Sequence, residues 1–301
     1  MTHVRRLASA PFDERWFLAI RAKKWRTLDE RDEDGFRLIS PPPEHSYADP
    51  FLLKRDGTHY VFFEDIDHRI ARGSIACAPV DAFGLTVKPE IVLSRDFHFS
   101  YPFVFESDGQ VYLLPETSGN RNLELYGAVD FPLRWERAAV LMTDVHVADA
   151  TLIQHGSRYW LFAAVESARQ RHDWEALHLF SSDSLFGPWR PHRMNPVVLR
   201  LSGARPAGRP FSDRGQLIRP GQDCTRRYGQ GVVLNRVDVL NDEDYREQEI
   251  GRISSSWIPG NRGTHHLDHD DELEVIDGRF LSRRVPRALI QMLARQLKTV
   301  R

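Results

Sequence analysis

ADPFLLKRDGTHYVFFED, residues 48–65, decides the architecture. An acidic residue beside proline opens a short apolar run. A Gly-containing turn follows, then an aromatic-rich strand that ends on carboxylates. The same order returns at SYPFVFESDGQVYLLPE, residues 100–116, and at ADATLIQHGSRYWLFAAVE, residues 148–166. A weaker fourth copy runs from Arg205 to Phe211, then through Asp213-Arg214-Gly215 to Gln216-Leu217-Ile218. The first positions of the clear copies, 49, 101 and 149, lie 52 and 48 residues apart, and the fourth follows 56 later.

Each copy reads as a hairpin: a short strand, a turn, and a second strand rich in Tyr, Phe and Trp. The spacers GSIACAPV, LELYGAV and ALHLFSS supply third strands. LTVKPEIVL, WERAAVLM and WRPHRMNPVVL supply outer ones. Four strands per unit of forty to fifty-odd residues is the signature of a β-propeller. A fifth unit is assembled from GTHHLDHDDELEVIDGRF near the C-terminus and RWFLAI near the N-terminus, which closes the ring and protects its edges. The expected fold is therefore all-β: a five-bladed propeller over residues 1–280, with a basic amphipathic helix over 281–301. In that last segment Leu289, Met292, Leu293 and Leu297 recur at three- and four-residue spacing. The helix would pack on the propeller, dock a partner glycosyltransferase, or rest on an anionic membrane surface.

The bulk composition excludes more than it selects. A net charge of −1 gives no global attraction to nucleic acid. The two cysteines make neither a metal motif nor a disulfide framework. MTHVRRLASAPFDERWF has no apolar core of a secretory signal, and no stretch reaches the ~18 apolar residues of a membrane span. The expectation is a cytoplasmic protein, membrane-peripheral if the helix binds lipid. Rossmann, phosphate-loop and Ser-His-Asp signatures are absent.

In a propeller the innermost strands line a central funnel, so equivalent repeat positions converge there. Asp49, Tyr101, Asp149 and Arg205 are equivalent. Glu64 and Glu116 each lie 15 residues beyond the first position of their copy, and Glu166 lies 17 beyond. This predicts a ring of carboxylates in which mutual repulsion raises some pKa values and makes one a proton donor. Asp49 and Asp149 each precede an apolar strand, where a buried unpaired charge is opposed. Beside them Arg205, Arg209, Arg219 and Arg226 cluster with Gln222, Asp223 and Tyr228. Arginine grips carboxylate or phosphate bidentately, and Asp, Gln and Tyr suit sugar hydroxyls. These arginines either hold an anionic ligand or brace the blades against the ring's own carboxylates. GTHHLDHD contains His265, His266, Asp268, His269 and Asp270, but no spacing that closes a zinc site. No metal or other cofactor is expected.

ADPFLLKRDGTHYVFFE, SYPFVFESDGQVYLLPET, ADATLI with YWLFA, SDSLFGPW with HRMNPV, and RPGQDCTRRYGQGV together resemble a bacterial family. That family is similar to the N-terminal domain of plant glucosamine inositolphosphorylceramide transferases. More distantly the chain resembles the five-bladed propellers of family 43 and family 32 glycoside hydrolases. The resemblance covers residues 45–280. It implies a carbohydrate in the funnel, with Asp49 as base or nucleophile and Asp149 orienting and tuning it. The hydrolases carry their acid, a Glu, at the start of the next repeat; here Arg205 stands there, so that assignment does not transfer. Glu64, Glu116 or Glu166 would supply the proton instead. The hydrolases also carry a fifth-blade His beside a channel cation, a position that His265 or His266 matches. The resulting expectation is a carbohydrate-active protein of surface-glycan metabolism that makes or breaks a glycosidic bond around an anionic sugar or sugar phosphate. The alternatives are a glycan-binding module serving a separate glycosyltransferase, and a scaffold.

Overall fold

Asp56-Gly57 and Asp108-Gly109 join their strands through two consecutive residues of positive φ (51° and 78°; 51° and 76°). Arg214-Gly215 does the same in the fourth copy (49° and 76°). This is the two-residue hairpin whose twist matches that of the strands it joins. From these hairpins the computed structural model, which describes residues 12–166 and 175–283, builds five antiparallel sheets.

Blade 1 runs outward through His45–Arg55, Thr58–Asp67 and Arg72–Asp81 to short outer strands at Gly84–Leu85 and Glu90–Leu93. Blade 2 uses Ser100–Ser107, Gln110–Glu116, Asn122–Asp130 and Arg134–Thr143. Blade 3 uses Val147–His155, Arg158–Val165 and Ala176–Ser182, with Arg190–Pro191 and Val198–Leu199 outside. Blade 4 splits its inner strand into Ser202–Pro206 and Phe211–Asp213, then adds Gln216–Asp223, Gly231–Leu240 and Tyr245–Ile253.

Blade 5 joins the two ends of the chain. Its order is Leu267–His269, Leu273–Arg283, Phe12–Ala22 and Arg37–Ile39. The pairing runs unbroken from Phe12 opposite Arg283 to Ala22 opposite Leu273. Both expected halves of the closing blade are therefore found where the sequence placed them.

Apolar side chains fill the spaces between blades. Phe51, Phe62, Phe103, Leu114, Tyr126 and Leu161 belong to one continuous buried cluster. Cys77 and Cys224 are buried free thiols. The C-terminal helix is not supported. Leu281–Arg283 continue the strand begun at Leu273, so residue 280 is no structural boundary, and the remainder of the expected helix lies outside the described residues. Among the described residues the helical elements are three-residue 3-10 turns, and no helix is long and apolar enough to cross a membrane.

Candidate functional site at the propeller axis

The innermost strands of the first three blades share one irregularity. Their pairing slips between Ala48 and Phe51, between Ser100 and Phe103, and between Ala148 and Thr151. Each slip is a bulge whose residue adopts left-handed backbone: Asp49 at φ 52°, Tyr101 at 46°, Asp149 at 53°. A non-glycine residue held there carries strain of order 1–3 kcal/mol, which surrounding structure must offset. Equivalent strain at equivalent positions re-aims the three side chains toward the axis.

Asp49 is 5% exposed and has only loose partners. Its Oδ2 accepts the Tyr101 N–H at 3.3 Å. Its Oδ1 faces His265 Nε2 at 3.5 Å and His266 Nδ1 at 3.7 Å. Behind His265 stands Asp277, whose Oδ2 lies 2.5 Å from Nδ1 and whose Oδ1 accepts the amides of His265 and His266 at 2.8 and 3.1 Å. Burial, reinforced by the charges of Asp149, Glu64 and Asp277, pushes the Asp49 carboxyl well above the usual range, while His265 opposes the rise. For His265 burial works the other way, yet Asp277 and Asp49 prevail and lift it to about 9. His266, sealed against Phe51 and Tyr101, is driven by burial down to about 3 and stays neutral. The arrangement is a line, Asp277 to His265 to Asp49, along which a proton can be shared.

Asp149 is held differently. Arg205 donates to both of its carboxylate oxygens, with Nη2 to Oδ1 at 3.1 Å, and Gln222 Nε2 donates to Oδ2 at 2.9 Å. Burial raises its pKa to about 6, and Arg205 keeps it from rising further. Arg205 also lies 3.8 Å from Glu116 and beneath the Tyr228 ring, which meets His265 edge-on. Glu64 is buried and takes the His98 Nε2 at 2.7 Å; the Gly73 N–H donates to Nδ1, leaving the proton on Nε2. Glu116 accepts from Ser118 at 2.6 Å.

The axis thus brings together Asp49, Asp149, Arg205, Glu64, Glu116, Gln222, Tyr228 and His265, and leaves other expected residues elsewhere. Glu166 is not in the ring: it is exposed, 3.4 Å from His146. Glu64 pairs with Ala48 and Glu116 with Ser100, but the register in blade 3 sets Ala164 opposite Ala148. Two extra residues carry Glu166 past the strand end. Tyr101 reaches the axis but is fully buried, accepting the Gly208 amide at 2.9 Å and bonded to Thr151 at 2.8 Å, so it positions rather than touches a ligand. Arg209 is committed to Asp268 and to the Leu52 and Val104 carbonyls, and braces four blades. Asp223 turns away into blade 4, toward Thr225, Gln230 and Arg252. Arg226 is exposed at the rim. Asp277 was missed because its unit is assembled from both chain ends and offers no intact copy to align. Trp16, stacked on His265 at 4.1 Å, was missed for the same reason.

Asp49, His265 and Asp277 present one ligand atom each within 4.8 Å of one another. Asp277, however, already receives two amides and an imidazole, and His265 Nδ1 is engaged by it. The set fits proton sharing better than a cation, and no step below runs through a metal.

The family model of the N-terminal region of glucosamine inositolphosphorylceramide transferase 1 matches residues 40–273. The chain belongs to this family. A glucosamine inositolphosphorylceramide transferase 1 from Arabidopsis thaliana is 37% identical over 244 residues, covering 79% of this chain and 32% of the plant protein. The chain therefore spans about a third of the curated relative. Among solved structures, a family 117 glycoside hydrolase from the marine bacterium Zobellia galactanivorans has a TM-score of 0.52 at 15% identity, covering 79% of this chain and 76% of the hydrolase. A thermostable family 43 hydrolase has 0.50 at 13% identity, covering 75% and 80%. At such identities these two show the fold alone. The matching curated relatives are plant proteins, and neither the bacterial family nor the family 32 likeness is among what these comparisons show. Within this transferase N-terminal family, Asp49, Asp149 and Arg205 all fall inside the matched span, whereas Asp277 and Trp16 lie outside it.

Proposed function

We propose that this propeller is a carbohydrate-active protein whose funnel holds a glycosyl unit over Asp49 during formation or hydrolysis of a glycosidic bond in surface-glycan metabolism. The observation that carries the reading is Asp49 itself. It is a carboxyl on strained backbone, nearly sealed from water, loosely partnered and backed by His265 and Asp277. A purely structural aspartate at that depth would be expected to take a close cationic partner, as Asp149 does. The raised pKa, caused by burial, makes the ionised Asp49 carboxylate a stronger base than an ordinary one, which suits it to accept a proton from a sugar or water hydroxyl. Asp149, immobilised by Arg205, sets the field around Asp49. Glu64 and Glu116 are the carboxyls within the same cluster that can return a proton to a leaving oxygen.

A second reading has its own support. Arg205 occupies the place of a general acid and neutralises Asp149, and the match is to the N-terminal region of relatives named transferases. On that reading the propeller binds a glycan and presents it to a separate glycosyltransferase, in the cytoplasm or at a membrane surface.

One comparison separates these readings. Wild type and Asp49→Asn are titrated by calorimetry with oligosaccharides, then incubated with oligosaccharides and with nucleotide-sugar donors plus acceptors, and the products are weighed. An enzyme keeps binding within a few-fold in the variant and loses turnover by about 10²-fold or more. A module shows binding without turnover in both proteins. Wild-type protein that binds no sugar would remove the glycan reading altogether.

A further inference from the structure

His98 stands beside the axis cluster, though no repeat position marks it. It lies in the link between Glu90–Leu93, at the outside of blade 1, and Ser100–Ser107, the inner strand of blade 2. Its side chain is half-exposed, yet the ring reaches back into blade 1, where Nε2 stands 2.7 Å from Oε1 of the buried Glu64. Gly73, on the third strand of that blade, fixes the link. It accepts the Phe99 N–H at 3.1 Å and donates its own N–H to His98 Nδ1 at 3.0 Å. Glycine is what permits this approach. An added Cβ would lie 2.4 Å from the Phe99 carbonyl oxygen, 2.5 Å from Glu64 Oε1 and 2.9 Å from His98 Cε1. On the side of blade 2, Phe97 packs on Phe99 and against Gly119, whose turn also carries Ser118, the partner of Glu116.

Two demands meet on this ring. Burial disfavours a charge there, but Glu64, then Glu116 and Asp49, outweigh it and pull His98 up toward about 9. The second proton, however, needs the Nδ1 lone pair, and the Gly73 N–H occupies it. A charged ring would set Nδ1–H against that amide and leave a buried backbone donor without a partner. The neutral ring with its proton on Nε2 meets both neighbours at once: Nδ1 accepts from Gly73, and Nε2 presents its hydrogen to the Glu64 carboxylate. Glu116, at the same repeat position in blade 2, is built differently. Ser118 serves its Oε1, while Oε2 is buried with no hydrogen-bond partner among the described residues, 3.8 Å from Arg205.

We infer that His98, locked by Gly73 in the neutral Nε2–H tautomer, is a positioning residue that holds Glu64 as a fixed acceptor for a ligand hydroxyl, so that the proton returned to a leaving oxygen comes from Glu116. The inference rests on the proposed reading of the funnel for its chemistry, but the tautomer of His98 stands independently of it. The proton balance is simple. As the glycosidic C–O bond breaks, its electron pair stays on oxygen, which takes the proton from Glu116 Oε2. Asp49 takes the proton of the incoming hydroxyl as the new C–O bond forms. Glu64 neither gains nor loses a proton in either event. It orders a hydroxyl, and His98 orders it.

The tautomer is read first, on the whole chain without ligand, by long-range ¹⁵N NMR of the histidine rings, with His98→Gln identifying the resonance. At neutral pH the proton should sit on Nε2 alone. A doubly protonated ring, or one protonated only at Nδ1, overturns the inference. Substitution then separates donation from titration. The amide of glutamine offers a donor to Glu64 and an acceptor to Gly73 but does not titrate near neutrality. Gluco-, galacto- and manno-oligosaccharides are titrated by calorimetry and then assayed for turnover, with near-ultraviolet dichroism confirming the fold of each variant. His98→Ala should weaken binding and raise KM by about ten-fold or more, and His98→Gln should restore most of that loss. Glutamine that behaves like alanine overturns the positioning role. Glu116→Gln should lower kcat by about 10²-fold or more and remove the alkaline limb of the pH–rate profile, whereas Glu64→Gln should raise KM and keep that limb. The reverse assignment makes Glu64 the acid and sinks the inference. Wild type that binds none of these sugars takes the acceptor role down together with the funnel reading, while a locked tautomer in the same protein shows that the reading of His98 itself was sound.

Discussion

Asp49 and Asp149 stand on equivalent bulges, yet Arg205 reaches only Asp149, and the two carboxylates acquire different chemistry from that contact. Replacing Arg205 by Ala leaves Asp149 buried without its cation, a change that typically costs about 3–5 kcal/mol. The loss should be large in urea unfolding at pH 8, smaller at pH 5 where Asp149 takes a proton, and largely reversed by adding Asp149→Asn. If Arg205→Ala unfolds like wild type at both pH values, the pair is not what holds the axis together. A related pH dependence follows from linkage. The folded pKa of Asp149 is about 6, above its unfolded value, so the native state binds the proton more tightly and stability falls as pH rises from about 4 to 6, by on the order of 3 kcal/mol. His265, raised to about 9, contributes stability that is complete below about pH 6.5 and is lost as pH rises through 9. The lowered carboxyls of Asp277, Glu247 and Glu274 act in the opposite sense at the acid end, where protonating them removes stability. Denaturation midpoints measured from pH 4 to 10 should therefore decline toward alkaline pH. His265→Gln should flatten the decline above pH 6.5, and Asp149→Asn the decline below it.

The bulged inner strand is the element that makes a site. A regular strand alternates its side chains between faces, whereas a bulge with a left-handed residue swings one side chain out of that alternation. Tyr101 shows what the motif serves when no ligand contact is made. Its hydroxyl satisfies the Gly208 amide and Thr151, locking blades 2, 3 and 4 together. Tyr101→Phe leaves that amide unpaired in the interior and should lower stability by about 1–3 kcal/mol, read as a fall in melting temperature without loss of the folded signal. Gly208 has no such latitude. An added Cβ would sit 1.8 Å from the Leu267 carbonyl oxygen at a φ of 127°, so Gly208→Ala should prevent the innermost strands of blades 4 and 5 from meeting. Its soluble yield should collapse where that of Gly156→Ala, at an open turn, does not. The sequence marked the positions that head the first three copies, Asp49, Tyr101 and Asp149, but not that each sits on a bulge. Glu166 was misread because strand register, not residue count, decides which side chain lies opposite the bulge.

Ring closure distributes the stability of the molecule across its two ends. Eleven residues of Phe12–Ala22 cover the outer edge of Leu273–Arg283. Deleting residues 1–22 would expose that edge, with Val275 and Ile276 beside it, as a template for pairing with other chains. The truncated chain should elute as aggregate in size-exclusion chromatography with light scattering. A monodisperse product with native near-ultraviolet dichroism would show that four blades suffice. The same closure draws His265, Asp277 and Trp16 to the axis beside Asp49.

The sequence by itself determined the blade repeat, the turn residues, the five-fold closure and the positions that head each inner strand, because these depend on local pattern: alternation, glycine in left-handed turns, and spacing along one chain. Only the tertiary structure decided which charges neutralise one another. The repeat brings Arg205 to the axis one copy after Asp149 but does not say that the two pair, and His265 meets Asp49 across more than two hundred residues from a blade that offers no intact copy. Whether a buried arginine grips a ligand or a neighbour depends on desolvation and on which carboxylate lies within about 3 Å, and packing alone supplies that answer.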